Sequence, residues 1–248
     1  MRRPWNQFLL RLQEKRYKMR NLFNVMRWDF LLLYRHGLVW VSLFIALLYG
    51  TILFYFRGLT SLEMVTLLIF SDPVMMGFIF IGAITMLEKD AGTFQAIIVS
   101  PLRVWQYLWS KALCLTLVAM PLSMVMVVAS GHGFEYAYYL LPGVGLSSVF
   151  FVFLGFSGAA RVFTFNQYII IIPLFLLPLC FPLVQLAGIN PGDWIYLIPT
   201  QASITIIQGM FIKTPAYLMA SAITYLLFCT LLAFLYARHS FKKYIVQR

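Results

Sequence analysis

Six apolar runs, each about 20 residues long, divide this sequence, and that is the length an α-helix needs to cross the roughly 30 Å of hydrocarbon in a bilayer. They cover residues 38–56, 64–87, 104–128, a stretch ending near 160, 168–186 and 216–237. Inside lipid a backbone must satisfy its own hydrogen bonds, so apolar runs of this length are expected to be helical. The sequence predicts an all-α integral membrane protein with six transmembrane helices. Composition agrees: 62% of the residues are hydrophobic and 11% are charged, against about 25% charged in ordinary soluble domains.

A net charge of +11 would, in a soluble chain, raise nucleic acid as a partner. Its placement argues otherwise. Arg2, Arg3, Arg11, Lys15, Arg16, Lys18, Arg20, Arg27 and Arg35 precede the first run, and Arg238, Lys242, Lys243 and Arg248 follow the last. With both termini inside, Lys89, Arg103, Lys111 and Arg161 also fall on the inner side, leaving only Arg57 and Lys213 outside. The positive-inside rule thus predicts cytoplasmic termini held at an anionic lipid face, and no nucleic acid partner.

Residues 1–37 form a basic segment in which Leu22, Phe23, Met26, Phe30 and Leu33 fall near helical spacing. They predict an amphipathic helix lying in the membrane interface, turning at Gly37; a soluble helix folding on itself is the alternative. Residues 38–237 form the membrane domain, and 238–248 a basic cytoplasmic tail. No A-x-A-like cleavage site precedes a short apolar region, so the first run is expected to remain in the mature protein. Cys114, Cys180 and Cys229 all lie inside apolar runs and are expected to be small buried hydrophobes.

Catalytic chemistry is missing from the pattern. His36, His132 and His239 sit in separate flanking segments, and there is no HExxH, no paired Cys spacing, no Gly-x-Ser-x-Gly and no GxxxxGK[ST] phosphate loop. The expectation is a chain that is not an enzyme and holds neither cofactor nor metal. Any ATP-driven motor would be another polypeptide.

Two spans carry unusual residues. Ser71-Asp72-Pro73 interrupts the second, and an intramembrane Asp costs on the order of 2.5–3.5 kcal/mol on insertion scales. Either Asp72 caps a half-helix beginning at Pro73, or it lies on a substrate path where it meets a cationic group. The fifth span holds Pro173, Pro178 and Pro182, which predict a kinked or partly unwound helix packed inside protein, a candidate gate. Residues 189–214, with Trp194, Tyr196 and Pro199, are too polar and punctuated for a simple crossing.

Between the second and third spans, residues 88–103 open with Glu88-Lys89-Asp90. Asp90 or Thr93 can cap a short helix beyond Gly92, on which Phe94, Ile97 and Ile98 share one face. So short a helix needs a surface to dock on. Ser100-Pro101 then ends it and starts the third span, with Trp105, Tyr107 and Trp109 at headgroup depth and Lys111 snorkelling to the surface. Docking on lipid headgroups and docking on a partner are both open from the residues alone.

The order of Glu88, Gly92-Thr93, an apolar patch, Ser100-Pro101 and Lys111 resembles the loop between the second and third spans of type-2 ABC exporter permeases. The basic entry helix, the six spans and Pro199-Thr200 before the last span also follow that family's order. Ser71-Asp72-Pro73 is similar to the bacterial group associated with fluoroquinolone and multidrug efflux, whereas the long basic N-terminus departs from its shortest members. The resemblance implies that residues 88–103 form a coupling loop, with Glu88, Gly92, Thr93, Phe94, Ile97, Ile98 and Pro101 meeting a separate ABC ATPase subunit that binds ATP and Mg. It also implies a second permease, identical or homologous, a hydrophobic or amphipathic drug, peptide or lipid-like cargo, and an outer lid over residues 189–214 that re-enters the membrane. The location would be the bacterial cytoplasmic membrane. Against this stand a non-transporting membrane scaffold or immunity protein and an ion-coupled secondary transporter; the latter usually has more intramembrane ionisable residues than Asp72.

Overall fold

A computed structural model describes residues 22–57, 59–99, 102–132, 136–189 and 192–246. The basic residues up to 21, together with Ser100 and Pro101, lie outside the described residues. Among those described there is no strand, and six helices are long and apolar enough to cross a membrane. Their bounds are Leu38–Tyr55, Leu62–Asp90, Val104–Ser130, Ala137–Ala159, Phe165–Leu186 and Ala216–Ile245.

Residues 22–35 form an entry helix, which turns into the first span at Gly37. Gly37 has a φ of 75°, a left-handed conformation that favours glycine. The first span buries Ser42, Ala46, Gly50 and Leu53 along one stripe, which packs on the third span. Small residues let two backbones approach where no hydrophobic effect drives helices together. Arg57, just past the first span, donates to Ala129 O at 2.7 Å and Val128 O at 3.0 Å. It thereby closes the C-terminal end of the third span, where carbonyls lack helical partners.

The second span is continuous rather than broken. Helix Leu62–Ile69, capped by Ser61, runs into a π-helical turn at Phe70–Val74 and on through Met75–Asp90. Pro73 cannot donate to the turn before it, and the widened turn absorbs that loss without ending the helix. Asp72 caps nothing here, because helix Met75–Asp90 begins with no side-chain cap. Elsewhere, several hydroxyls in the apolar helices donate to the carbonyl four residues back, as Thr85 does to Ile81 O at 2.6 Å and Ser157 to Phe153 O at 2.9 Å.

The fourth span is the centre of the bundle, with 72% of its most apolar stretch buried, packing on the second, third and sixth. Gly82 of the second span lies under Tyr168 of the fifth; a Cβ at Gly82 would sit 1.8 Å from the ring. Tyr168 in turn donates its hydroxyl to Phe78 O at 2.5 Å.

The fifth span, expected from its prolines to pack inside protein, is little covered by its own chain. Only 6% of its apolar window is buried. Its helix Phe165–Cys180 runs through Pro173 and Pro178, and the chain tightens into a 3-10 helix at Phe181–Ala187. Carbonyls freed by proline need a donor, which one facing element can supply without burying the whole span. Two short helices, Asp193–Leu197 and Pro199–Gln208, precede the sixth span, whose helix runs past the expected end to Phe241 and continues as a π-helix to Val246.

Candidate functional site

At one end of the bundle, the loop after the second span holds a seven-residue helix, Thr93–Val99, entered through Gly92. Phe94, 7% exposed, points into this chain's own core. Its ring lies 6.0 Å from Tyr107 and 6.2 Å from Phe241, and Tyr107 and Phe241 both stand 6.0 Å from Phe156. Four rings thus tie the loop helix to the third, fourth and sixth spans. Ile97 also packs against the core, while Gln95 and Val99 face outward, Val99 with 85% of its surface exposed. Ile98 lies on the same helix; its side chain and Pro101 are outside the described residues.

Directly beneath is a cluster of buried charges. Lys111 is 2% exposed, so it turns inward instead of snorkelling as expected. It donates to Glu88 Oε1 at 2.6 Å and to Asp29 Oδ1 at 3.0 Å. Tyr107 donates to the other Glu88 oxygen at 2.5 Å, and Ser110 to the other Asp29 oxygen. Both carboxylates therefore have both oxygens occupied, which removes much of the desolvation cost of burying them. Cys114 adds a thiol bond to Met26 O at 3.2 Å. Next to Glu88, Lys89 reaches the other way, donating to Ala159 O at 2.9 Å and Val162 O at 2.5 Å at the end of the fourth span. A 330 Å³ cleft between the loop helix and the entry helix is lined by Trp28, Asp29, Glu88, Thr93, Ile97 and Tyr107, among others.

The opposite end of the bundle has a different chemistry. A 650 Å³ cavity lies between the fourth span, the fifth span and the two short helices, bounded by Phe150, Phe175, Pro178, Phe181, Trp194 and Pro199, among other apolar residues. Phe181 and Trp194 approach to 4.7 Å between ring centres. The short helices are pinned in place. Pro182 has no amide hydrogen to give the carbonyl three residues back, that of Leu179, and Thr200 supplies the bond with its hydroxyl at 2.6 Å. Gln201 donates to Gln185 Oε1 at 2.7 Å, and Tyr225 to Leu197 O at 2.5 Å.

Residues 20–248 match the model of the fluoroquinolones export permease protein family. The chain belongs to this family. Two Mycobacterium tuberculosis proteins, from strains CDC 1551 / Oshkosh and ATCC 25618 / H37Rv, are each named a fluoroquinolones export permease protein. Each is 31% identical over 185 residues, covering 71% of this chain and 76% of the relative. The match agrees with the likeness to type-2 ABC exporter permeases, and the protein is a multi-pass efflux permease.

In this permease the residues singled out from the sequence fall into separate groups. Pro178, Trp194 and Pro199 meet at the apolar cavity, and Glu88, Thr93 and Ile97 meet at the cleft. Gly92 is exposed at the start of the loop helix, Pro173 and Tyr196 face outward, and Pro182 is buried. Asp72 and Pro73 lie apart from both sites, in the π-helical turn that packs against the third and fourth spans and helix Pro199–Gln208. Asp72 is 9% exposed, and its Oδ2 has no hydrogen-bond partner among the described residues.

Asp29, Tyr107, Ser110 and Lys111 were not picked out as site residues. A signal was present: Tyr107, Ser110, Lys111 and Cys114 fall at i, i+3, i+4 and i+7 of a mostly apolar helix, a stripe that includes a charge and must face protein. Spacing alone gave no hint of the acid across from it.

Proposed function

We propose that this permease forms half of the translocation path of an ATP-driven exporter, and that helix Thr93–Val99 is its coupling helix. The observation that carries the reading is the division of that helix into two faces. Phe94 is locked among Tyr107, Phe156 and Phe241, while Gln95 and Val99 are offered outward. A helix of seven residues cannot hold itself in water, so the inward face fixes it to the membrane domain and leaves the outward face for a partner. That partner is a separate ABC ATPase carrying ATP and Mg on the cytoplasmic side of the cell membrane, where both termini of the permease also lie. Glu88 and Phe94 then transmit its movement, and Gln95 and Val99 make the contact.

A second permease, identical or homologous, completes the path. The fifth span supports this, because Ile170, Leu174 and Leu177 form a stripe 70–71% exposed in one chain. The short helices Asp193–Leu197 and Pro199–Gln208 dip into the outer leaflet as a lid, and the 650 Å³ cavity behind them takes the cargo. Its aromatic, uncharged walls suit a planar hydrophobic or amphipathic compound, and the relatives' name adds fluoroquinolones as the first class to try.

The test is co-purification with a candidate ATPase partner, such as one encoded beside it, followed by ATP hydrolysis with and without a fluoroquinolone. Wild type should copurify and respond to cargo, whereas Val99→Asp together with Gln95→Lys should lose the ATPase while keeping a folded membrane domain. Undiminished copurification of that double variant would refute the coupling-helix assignment.

A further inference from the structure

We propose that the buried bridge from Asp29 through Lys111 to Glu88, closed by Tyr107, is the joint that carries movement of the loop helix into the entry helix and the third span. Lys111 is its positioning residue. The inference rests on the ATP-driven reading above and adds to it the path by which a push at the loop reaches the rest of the bundle.

The first argument is energetic. Buried ion pairs can often be replaced by apolar residues at little cost to stability, so stability alone does not account for one ammonium and two carboxylates here. What such a set does impose is register. Lys111 Nζ holds Glu88 at 2.6 Å and Asp29 at 3.0 Å, and three chain segments must keep their relative heights for both bonds to survive. Sliding any one of them would leave Lys111, 2% exposed, or a largely buried carboxylate without its partner, so displacement of one drags the other two.

The second argument is placement. Glu88 lies on the last turn of the second span, just before the loop helix begins at Thr93. Tyr107 serves both sides, since its hydroxyl binds Glu88 while its ring packs on Phe94 and on Phe241. The entry helix is fastened to the same face of the third span at three points, through Lys111 and Ser110 to Asp29 and through Cys114 to Met26 O. A 330 Å³ cleft bordered by Thr93, Ile97, Glu88 and Asp29 flanks this assembly, and in that direction the loop helix has room to move.

The test compares wild type with Asp29→Asn/Glu88→Gln/Lys111→Met, which keeps the side-chain shapes and strands no buried charge. Both are purified with the ATPase, reconstituted in lipid vesicles, and assayed for ATP hydrolysed and fluoroquinolone moved. The triple variant should assemble and hydrolyse ATP with export per ATP reduced about tenfold, within the range of ordinary allosteric coupling. Equal export per ATP in the two would overturn the joint. If the triple variant does not assemble, Tyr107→Phe, which removes one hydroxyl and keeps the ring, should still lower export per ATP by about threefold or more, and an unchanged ratio would overturn it. A wild-type complex that neither binds nor hydrolyses ATP would instead overturn the pump reading, and the joint with it.

Discussion

At the end that carries the loop helix, Asp29, Glu88, Tyr107 and Lys111 satisfy one another at 2.5–3.0 Å. At the opposite end, Phe181 and Trp194 pack together in the wall of an apolar cavity of 650 Å³, and near it buried Gln201 Oε1 has no hydrogen-bond partner among the described residues. Directional polar bonds hold one register and resist sliding. Apolar contacts are non-directional, so the side chains lining the cavity can shift at lower cost within the frame set by the bonds of Thr200, Gln201 and Tyr225. In the proposed ATP-driven exporter, the first, stiff end would receive force and the second, more compliant one would hold cargo.

The sharpest way to break this contrast is to remove the cation that bridges Asp29 and Glu88 at the stiff end. Lys111→Met leaves two buried carboxylates facing each other and should destabilise the permease by about 3–5 kcal/mol, seen as a collapse of thermal unfolding temperature in detergent. A loss under 1 kcal/mol would mean that water reaches the cluster. At the compliant end the largest stability effect should come from Thr200→Val, which strands Leu179 O and should cost about 1–3 kcal/mol. Trp194→Ala should matter less for folding, within about 1 kcal/mol given the half-exposed ring, yet should weaken cargo-stimulated ATP hydrolysis more than basal hydrolysis. If both fell equally, the cavity would not be where cargo acts. The smallest effect is expected from Asp72→Asn, near-isosteric at an atom with no donor, with stability changing by less than about 1 kcal/mol. Unchanged transport of neutral and cationic compounds would take Asp72 off the path, while selective loss of cationic ones would put it on.

The sequence made much of the fold legible, because a bilayer imposes one length and one kind of secondary structure. All six spans begin or end within a few residues of their apolar runs, and the helix at Thr93–Val99 follows from Gly92 and the spacing of Phe94 and Ile97. Residues whose meaning depends on a distant partner were not legible. Lys111 at a span end has the same local pattern whether it snorkels or turns inward, and its partners Glu88 and Asp29, 23 and 82 positions away, decide between the two. Ser71-Asp72-Pro73 spells a break by local rules, but a π-helical turn accommodates the proline at the cost of one widened turn. In the fifth span the prolines correctly mark freed carbonyls, while the donor that satisfies one of them, Thr200, comes from a segment 21 residues on.

The central claim is that force enters through Thr93–Val99 and cargo leaves from the apolar end. Its most direct test is ATP-dependent uptake of a fluoroquinolone into inside-out vesicles holding the permease with its ATPase, measured beside the Val99→Asp/Gln95→Lys double variant. The account predicts ATP-dependent uptake by wild type and none by the variant, although the variant inserts and folds. Uptake by the variant at the wild-type rate, or wild-type uptake that ignores ATP and follows an ion gradient, would contradict it.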